Sequence, residues 1–185
     1  MRQLVNKIVM GLLLSCFLNA SEDVLLLDTS GSLSNPATVT EIKNLTQKYL
    51  SRGKSIIAFG DDTYAVHKVS DLHFGGGTAT SKGLKAALDG NYKFIVLITD
   101  GDSDNDGETI VQANLLKAKH VKICSVFLSN STSNIPITLS KISDKVFLSE
   151  NISGAFEMCS DEVRHELLGK GAIKRIVDNS HFDLF

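Results

Sequence analysis

Short apolar runs recur along the chain at Val24 to Leu27, Ser55 to Phe59, Lys93 to Thr99 and Val121 to Leu128, with a last one at Val146 to Leu148. Runs of about four to eight such residues predict strands buried on both faces. Between them the spacing turns helical. Val39, Ile42, Leu45, Tyr49 and Leu50 fall on one face; the polar cap and proline of Ser34-Asn35-Pro36 mark the start of that helix, and Arg52-Gly53 its stop. Further helices are expected from about Thr80 to Leu88, through Ile110, Val111, Leu115 and Leu116, and from Ile137 to Lys145. Another runs from Ile152 through Ala155, Phe156, Cys159, Val163 and Leu167, and Gly169-Lys170-Gly171 separates it from a weakly helical end. Tyr64 to Val69 alternates instead. The turn before it, Gly60-Asp61-Asp62-Thr63, can join only antiparallel neighbours, which places this strand at a sheet edge with His67 on its surface. The whole pattern predicts an α/β fold, a doubly wound, Rossmann-like and mainly parallel sheet with one antiparallel edge strand and helices on both faces.

Two of the buried strands end in an acid. Val24 to Leu27 runs into Asp28-Thr29-Ser30-Gly31-Ser32, and Lys93 to Thr99 into Asp100-Gly101; Phe74-Gly75-Gly76-Gly77-Thr78 lies between them in sequence. In such a sheet, ligands gather at the carboxyl ends of strands where the winding direction changes. Asp28, Ser30, Ser32, Thr78 and Asp100 can therefore meet. All five side chains offer oxygen, a donor set suited to Mg2+, Mn2+ or Ca2+ rather than zinc or copper. Asp28-x-Ser30-x-Ser32 alone would fit a helix-capping turn equally well; three elements in this order are far more specific.

Together these elements resemble the von Willebrand factor A (integrin I-like) domain and its metal-ion-dependent adhesion site, over roughly Val24 to Leu148. The resemblance implies a six-stranded sheet in the order 3-2-1-4-5-6 with an antiparallel edge. It implies that Ser30, Ser32 and Thr78 touch the ion, while Asp28 and Asp100 act through water or hold the hydroxyls. A Glu or Asp from a protein partner would fill the open coordination position, and the function would be adhesion or assembly. Partner identity would depend on the surface around Leu33, Asn35, His73 and Asp102. No general base, nucleophile pair or histidine cluster accompanies the site, so nothing demands catalysis.

An enzyme alternative starts from the same residues. A haloacid-dehalogenase-like, Mg-dependent phosphatase also opens with an apolar strand and an aspartate, which would make Asp28 the nucleophile. Its proton donor is an acid two residues on, and Ser30 stands there. Asp102, Asp104 and Asp106 resemble the first half of a calcium loop, but position twelve counted from Asp102 is Ala113, not the bidentate acid such a loop needs. A solvated loop with a helix cap is the expectation there, with Asp102 adding negative potential near the ion.

Composition narrows the setting. The 185 residues suffice for one ordinary domain, and 43% hydrophobic with 22% charged residues is the balance of a globular chain. A formal charge of -2 argues against a nucleic-acid partner. Met1 to Ala20 reads as a signal peptide: Arg2 and Lys7 precede the apolar Ile8 to Leu18, which is too short to span a bilayer, and Leu18-Asn19-Ala20 ends on a small residue. Leu13-Leu14-Ser15-Cys16 loosely resembles a lipobox, so a lipid anchor at Cys16 is the rival reading. Cleavage after Ala20 removes two basic residues and no acids, and takes the charge from -2 to -4. The mature chain, with no transmembrane span, would be exported to a periplasmic, cell-surface or secreted location. The expected organisation is a domain over 21–150 and a helical extension over 151–185. Cys124 and Cys159 then form an even pair in an oxidising compartment, where a disulfide and a buried thiol are equally open. Asn44, Asn130 and Asn151 begin glycosylation triplets.

Overall fold

The computed structural model of the chain describes residues 22–101, 103–129, 134–149, 152–160 and 164–166. The expected leader with Cys16, Asp102, Asn130, Asn151 and the residues from Leu167 onward lie outside these.

Six strands form one sheet: β1 (Asp23–Asp28), β2 (Ser55–Phe59), β3 (Thr63–Ala65), β4 (Phe94–Thr99), β5 (Lys122–Leu128) and β6 (Lys145–Ser149). Their order is β3-β2-β1-β4-β5-β6. Every pairing is parallel except β2 with β3. This is the doubly wound sheet expected from the alternating pattern, with its antiparallel strand at one edge.

β1 is central because it is apolar on both faces. Leu25 and Leu27 point to one side, against α1 (Pro36–Ser51) and α5 (Ile152–Met158), in a cluster with Ile42, Tyr49, Val96, Ile98 and Phe156. Val24 and Leu26 point to the other, against α2 (Thr80–Asp89), α3 (Asp106–Ala118) and α4 (Ile137–Ile142), with Leu84, Leu97, Leu116 and Ile142. The four β1 residues are fully buried, and each such side chain contributes about 1.5–3 kcal/mol relative to exposure.

Local chemistry sets the ends of the elements. The Asn35 side chain accepts from Thr38 N–H at 2.9 Å and caps α1, and Gly53 ends it at φ 67°. Asn105 does the same for α3, accepting from Glu108 N–H at 3.0 Å. The exposed residues of α3 include Val111 and Leu115, while Thr109, Gln112, Ala113 and Leu116 face the sheet.

Three boundaries differ from the sequence expectation. The edge strand stops at Ala65 rather than Val69, because the Asp71 carboxylate accepts from both His67 N–H and Lys68 N–H and folds the chain into a 3-10 turn over Val69–Asp71. The helix expected to Lys145 ends at Ile142; Asp144 turns back onto β5, its backbone N–H donating to Ile123 O and its carboxylate accepting from Ile123 N–H. The helix from Ile152 ends at Met158 with a turn at Cys159–Ser160, and residues 164–166 are helical again; at that turn a disulfide joins Cys159 to Cys124 on β5 with their Cα atoms 5.9 Å apart. Ile152, Phe156 and Cys159 are all buried in the sheet's core cluster, so α5 packs on the domain.

Candidate metal site

The parallel register of β1 and β4 pairs Leu27 with Ile98, so Asp28 and Thr99 end side by side where the strand order reverses. Asp28 is fully buried. Its Oδ1 accepts from Ser30 N–H at 2.8 Å and its Oδ2 from the Thr99 hydroxyl at 2.6 Å. The first bond curls the loop so that alternate hydroxyls share one side: Ser30 Oγ lies 3.0 Å from Ser32 Oγ, and Ser32 Oγ donates to Asp100 Oδ1 at 2.8 Å. Asp28 thus shapes the loop, while Ser32 stands exposed at its rim.

The glycine loop is bound to its neighbours by backbone. Gly75 N–H donates to Thr29 O at 2.9 Å and Gly31 N–H to Gly76 O at 3.1 Å. Gly76 adopts φ 74°, a left-handed conformation that costs glycine nothing. Thr78 is buried, and its hydroxyl lies 3.8 Å from where a Cβ on Gly101 would stand, on the loop that carries Asp100. Ser30, Ser32 and Asp100 are thus joined by side-chain hydrogen bonds, and Thr78 reaches the same crevice from a third loop.

Burial raises the Asp28 pKa above its usual 3.8; the Thr99 and Ser30 hydrogen bonds oppose that shift and the neighbouring Asp100 adds to it. Burial also raises Asp100, against the Ser32 hydrogen bond. Among the described residues neither acid forms an ion pair with Lys, Arg or His. One fully buried and one half-buried carboxylate side by side with no cationic side chain are an electrostatic cost that a divalent ion would lower. No group of three or more His, Cys, Asp or Glu that could hold a metal occurs among the described residues; three of the five candidate donors, Ser30, Ser32 and Thr78, are hydroxyls. An all-oxygen set with two acids fits a hard divalent cation.

Three residues that the sequence did not assign to the site belong to this architecture. Thr99 is a polar residue ending an apolar run, a detectable signal. Asp61 and Asp104 accept from the Gly77 and Thr78 amides at 2.7 and 2.9 Å, and nothing in their sequence context marks those partners. The calcium-loop resemblance dissolves accordingly: Asp104 turns to the glycine loop, and Asp106 opens α3. His73 is exposed beside Tyr64, their ring centroids 6.1 Å apart. A groove of about 460 Å³ starts at Asp100 and runs past Leu33, Asn35, Thr38, Glu41 and Ser129.

The sheet order, its antiparallel edge and the helices on both faces define the von Willebrand factor A fold. Among solved structures, the chain is similar to proximal thread matrix protein 1 from the mussel byssus, at 18% identity and a TM-score of 0.60 over 78% of this chain and 45% of that one. It is similar also to a form of that protein described as having a zinc-occupied MIDAS motif (16% identity, TM-score 0.59, 75% of this chain and 46% of that one). A third likeness is to the manganese-loaded TRAP protein of Plasmodium vivax (16%, TM-score 0.56, 76% of this chain and 72% of that one). The chain spans less than half the length of the mussel chains it matches. No protein-family model matches it, and no curated protein matches its sequence.

Proposed function

We propose that this chain is an exported protein-binding module that engages its partner through a divalent cation held at Ser30, Ser32 and Thr78. Asp28 and Asp100 hold the hydroxyls and balance the charge. Held there, a divalent cation would supply a Lewis-acidic centre suited to a partner's carboxylate. The chain's own residues do the rest: Asp28 fixes the loop through Ser30 N–H, Thr99 holds Asp28, and exposed Ser32 keeps the rim accessible. A Glu or Asp of the partner is the ligand this arrangement suits. The groove beside Asp100, with Leu33 and Asn35 on its wall, is where neighbouring partner residues would set specificity.

The observation that carries this reading is the fully buried Asp28 beside the half-buried Asp100, neither paired with Lys, Arg or His among the described residues, set against a row of hydroxyls. Similarity to proteins described as zinc-occupied and manganese-loaded supports it. Export rests on the leader read over 1–20, with lipidation at Cys16 as the variant, and is supported by the Cys124–Cys159 disulfide, a bond of oxidising compartments. No helix among the described residues is long and apolar enough to cross a membrane. The phosphatase reading is less favoured: its nucleophile must reach the substrate's phosphorus, whereas Asp28 is buried with both oxygens engaged.

The test is capture of partners from the exporting cell's envelope with Mg2+ and with chelator, using wild type and Asp28→Ala. Capture should need both the ion and Asp28. Capture indifferent to chelator and to a folded Asp28→Ala protein would refute the proposal, as would Mg-dependent phosphatase turnover abolished by Asp28→Asn.

A further inference from the structure

We propose that Asp104 is a positioning residue that holds Thr78 for the ion, an inference that rests on the metal-site reading above. Thr78 is the one hydroxyl of the three that no side-chain hydrogen bond ties to the others among the described residues. Its placement comes from its backbone, and Asp104 clamps that backbone at two points: Asp104 Oδ2 accepts from Thr78 N–H at 2.9 Å, and Asp104 N–H donates to Thr78 O at 3.1 Å. Asp104 follows Asp100 on the loop after β4, so the clamp couples the third loop to the acid-bearing one.

The preceding residue is shaped for this contact. A Cβ on Gly77 would lie 2.6 Å from Asp104 Oδ2, so the carboxylate can reach the Thr78 amide only past a glycine. On the other flank Asp61 Oδ1 accepts from Gly77 N–H at 2.7 Å, and a Cβ on Gly76 would stand 2.2 Å from Asp61 Oδ2. Two carboxylates from different loops thus grip consecutive amides of the glycine loop. Asp104 is exposed, covers no core and forms no ion pair among the described residues. Its carboxylate is committed to this amide.

A hydrogen-bond clamp and a distant negative charge make different demands on the side chain. Asparagine keeps an oxygen for the Thr78 amide and loses the charge; alanine loses both. Mn2+ titration should show binding weakened by about tenfold or more in Asp104→Ala, the usual range for partners that orient ligands, with Asp104→Asn close to wild type. Hydrogen exchange at the Thr78 amide of the metal-free protein should quicken in Asp104→Ala and not in Asp104→Asn. If Asp104→Ala fails to fold, Gly77→Ala serves, since its methyl displaces the same carboxylate and should weaken Mn2+ alike. Unchanged Mn2+ affinity in Asp104→Ala, or an Asp104→Asn protein as weak as the alanine variant, would overturn the clamp while leaving the metal site standing. Absence of Mn2+ binding by wild type would sink the site reading itself and this inference with it.

Discussion

Thr99 and Asp28 show how one buried hydrogen bond can govern a site. Thr99 Oγ1 donates to Asp28 Oδ2 at 2.6 Å, satisfying a carboxylate that water does not reach. Thr99→Val keeps the shape and removes the donor, so the metal-free protein should lose about 1–3 kcal/mol at neutral pH by urea unfolding, with Mn2+ affinity falling as well. Asp28 also sets a pH dependence. Its folded pKa is raised above 3.8 by burial, so stability from this group is fully present below 3.8 and is lost as pH rises through the folded value. Asn carries no charge, so in chelator Asp28→Asn should gain on wild type as pH rises across that window. Chemical denaturation at a series of pH values measures the difference, and a gap independent of pH would contradict the burial argument. Ser30, Ser32, Thr78 and Asp100 were legible as candidates because oxygen-bearing residues stand out at the ends of apolar runs. Asp61 and Asp104 were not, since a carboxylate on a surface loop looks the same in sequence whether it meets water or a distant amide.

At the level of elements, buried strands were the most readable because apolar runs allow few other structures. Boundaries failed where a single side chain redirected the backbone, as Asp71 does at the edge strand and Asp144 before β6. The anchoring of α5 was hidden for another reason: it includes Cys159 bonded to Cys124, 35 residues away in sequence. Sequence carries the parity of cysteines and not their Cα separation. Replacing both by alanine should cost about 2–4 kcal/mol and raise hydrogen exchange in Ile152–Met158 more than in β5. Equal exchange in the two elements would show that core packing alone secures the helix.

Across the whole molecule, the sheet order puts both acid-tipped strands at one crevice, and cation binding there should be read by global stability. A ligand at about a hundred times its Kd adds about 2.7 kcal/mol to the folded state, or roughly 5–11 °C in Tm for a domain of this size. Mg2+ or Mn2+ should produce such a rise in wild type and none in the Asp28→Ala, Ser30→Ala double variant; calorimetry with and without chelator checks it. The doubly wound class and its antiparallel edge were readable at this scale because alternating elements and one short connection leave few arrangements, whereas the strand order came from the family resemblance.

The attachment of α5 has a mechanical meaning. Ile152 N–H donates to the Glu41 carboxylate at 3.2 Å, Glu157 pairs with Lys48 at 2.6 Å, and Cys159 is bonded to β5. The helix is tied to the domain at its head, along its length and just past its tail. Tension applied beyond Glu166 would meet the Glu166–Lys145 and Arg164–Asp23 pairs on β6 and β1, and then the Cys159–Cys124 bond to β5, before it could peel the helix. A pull from that side is therefore borne by the strands, and the helix is spared as the first part to give way.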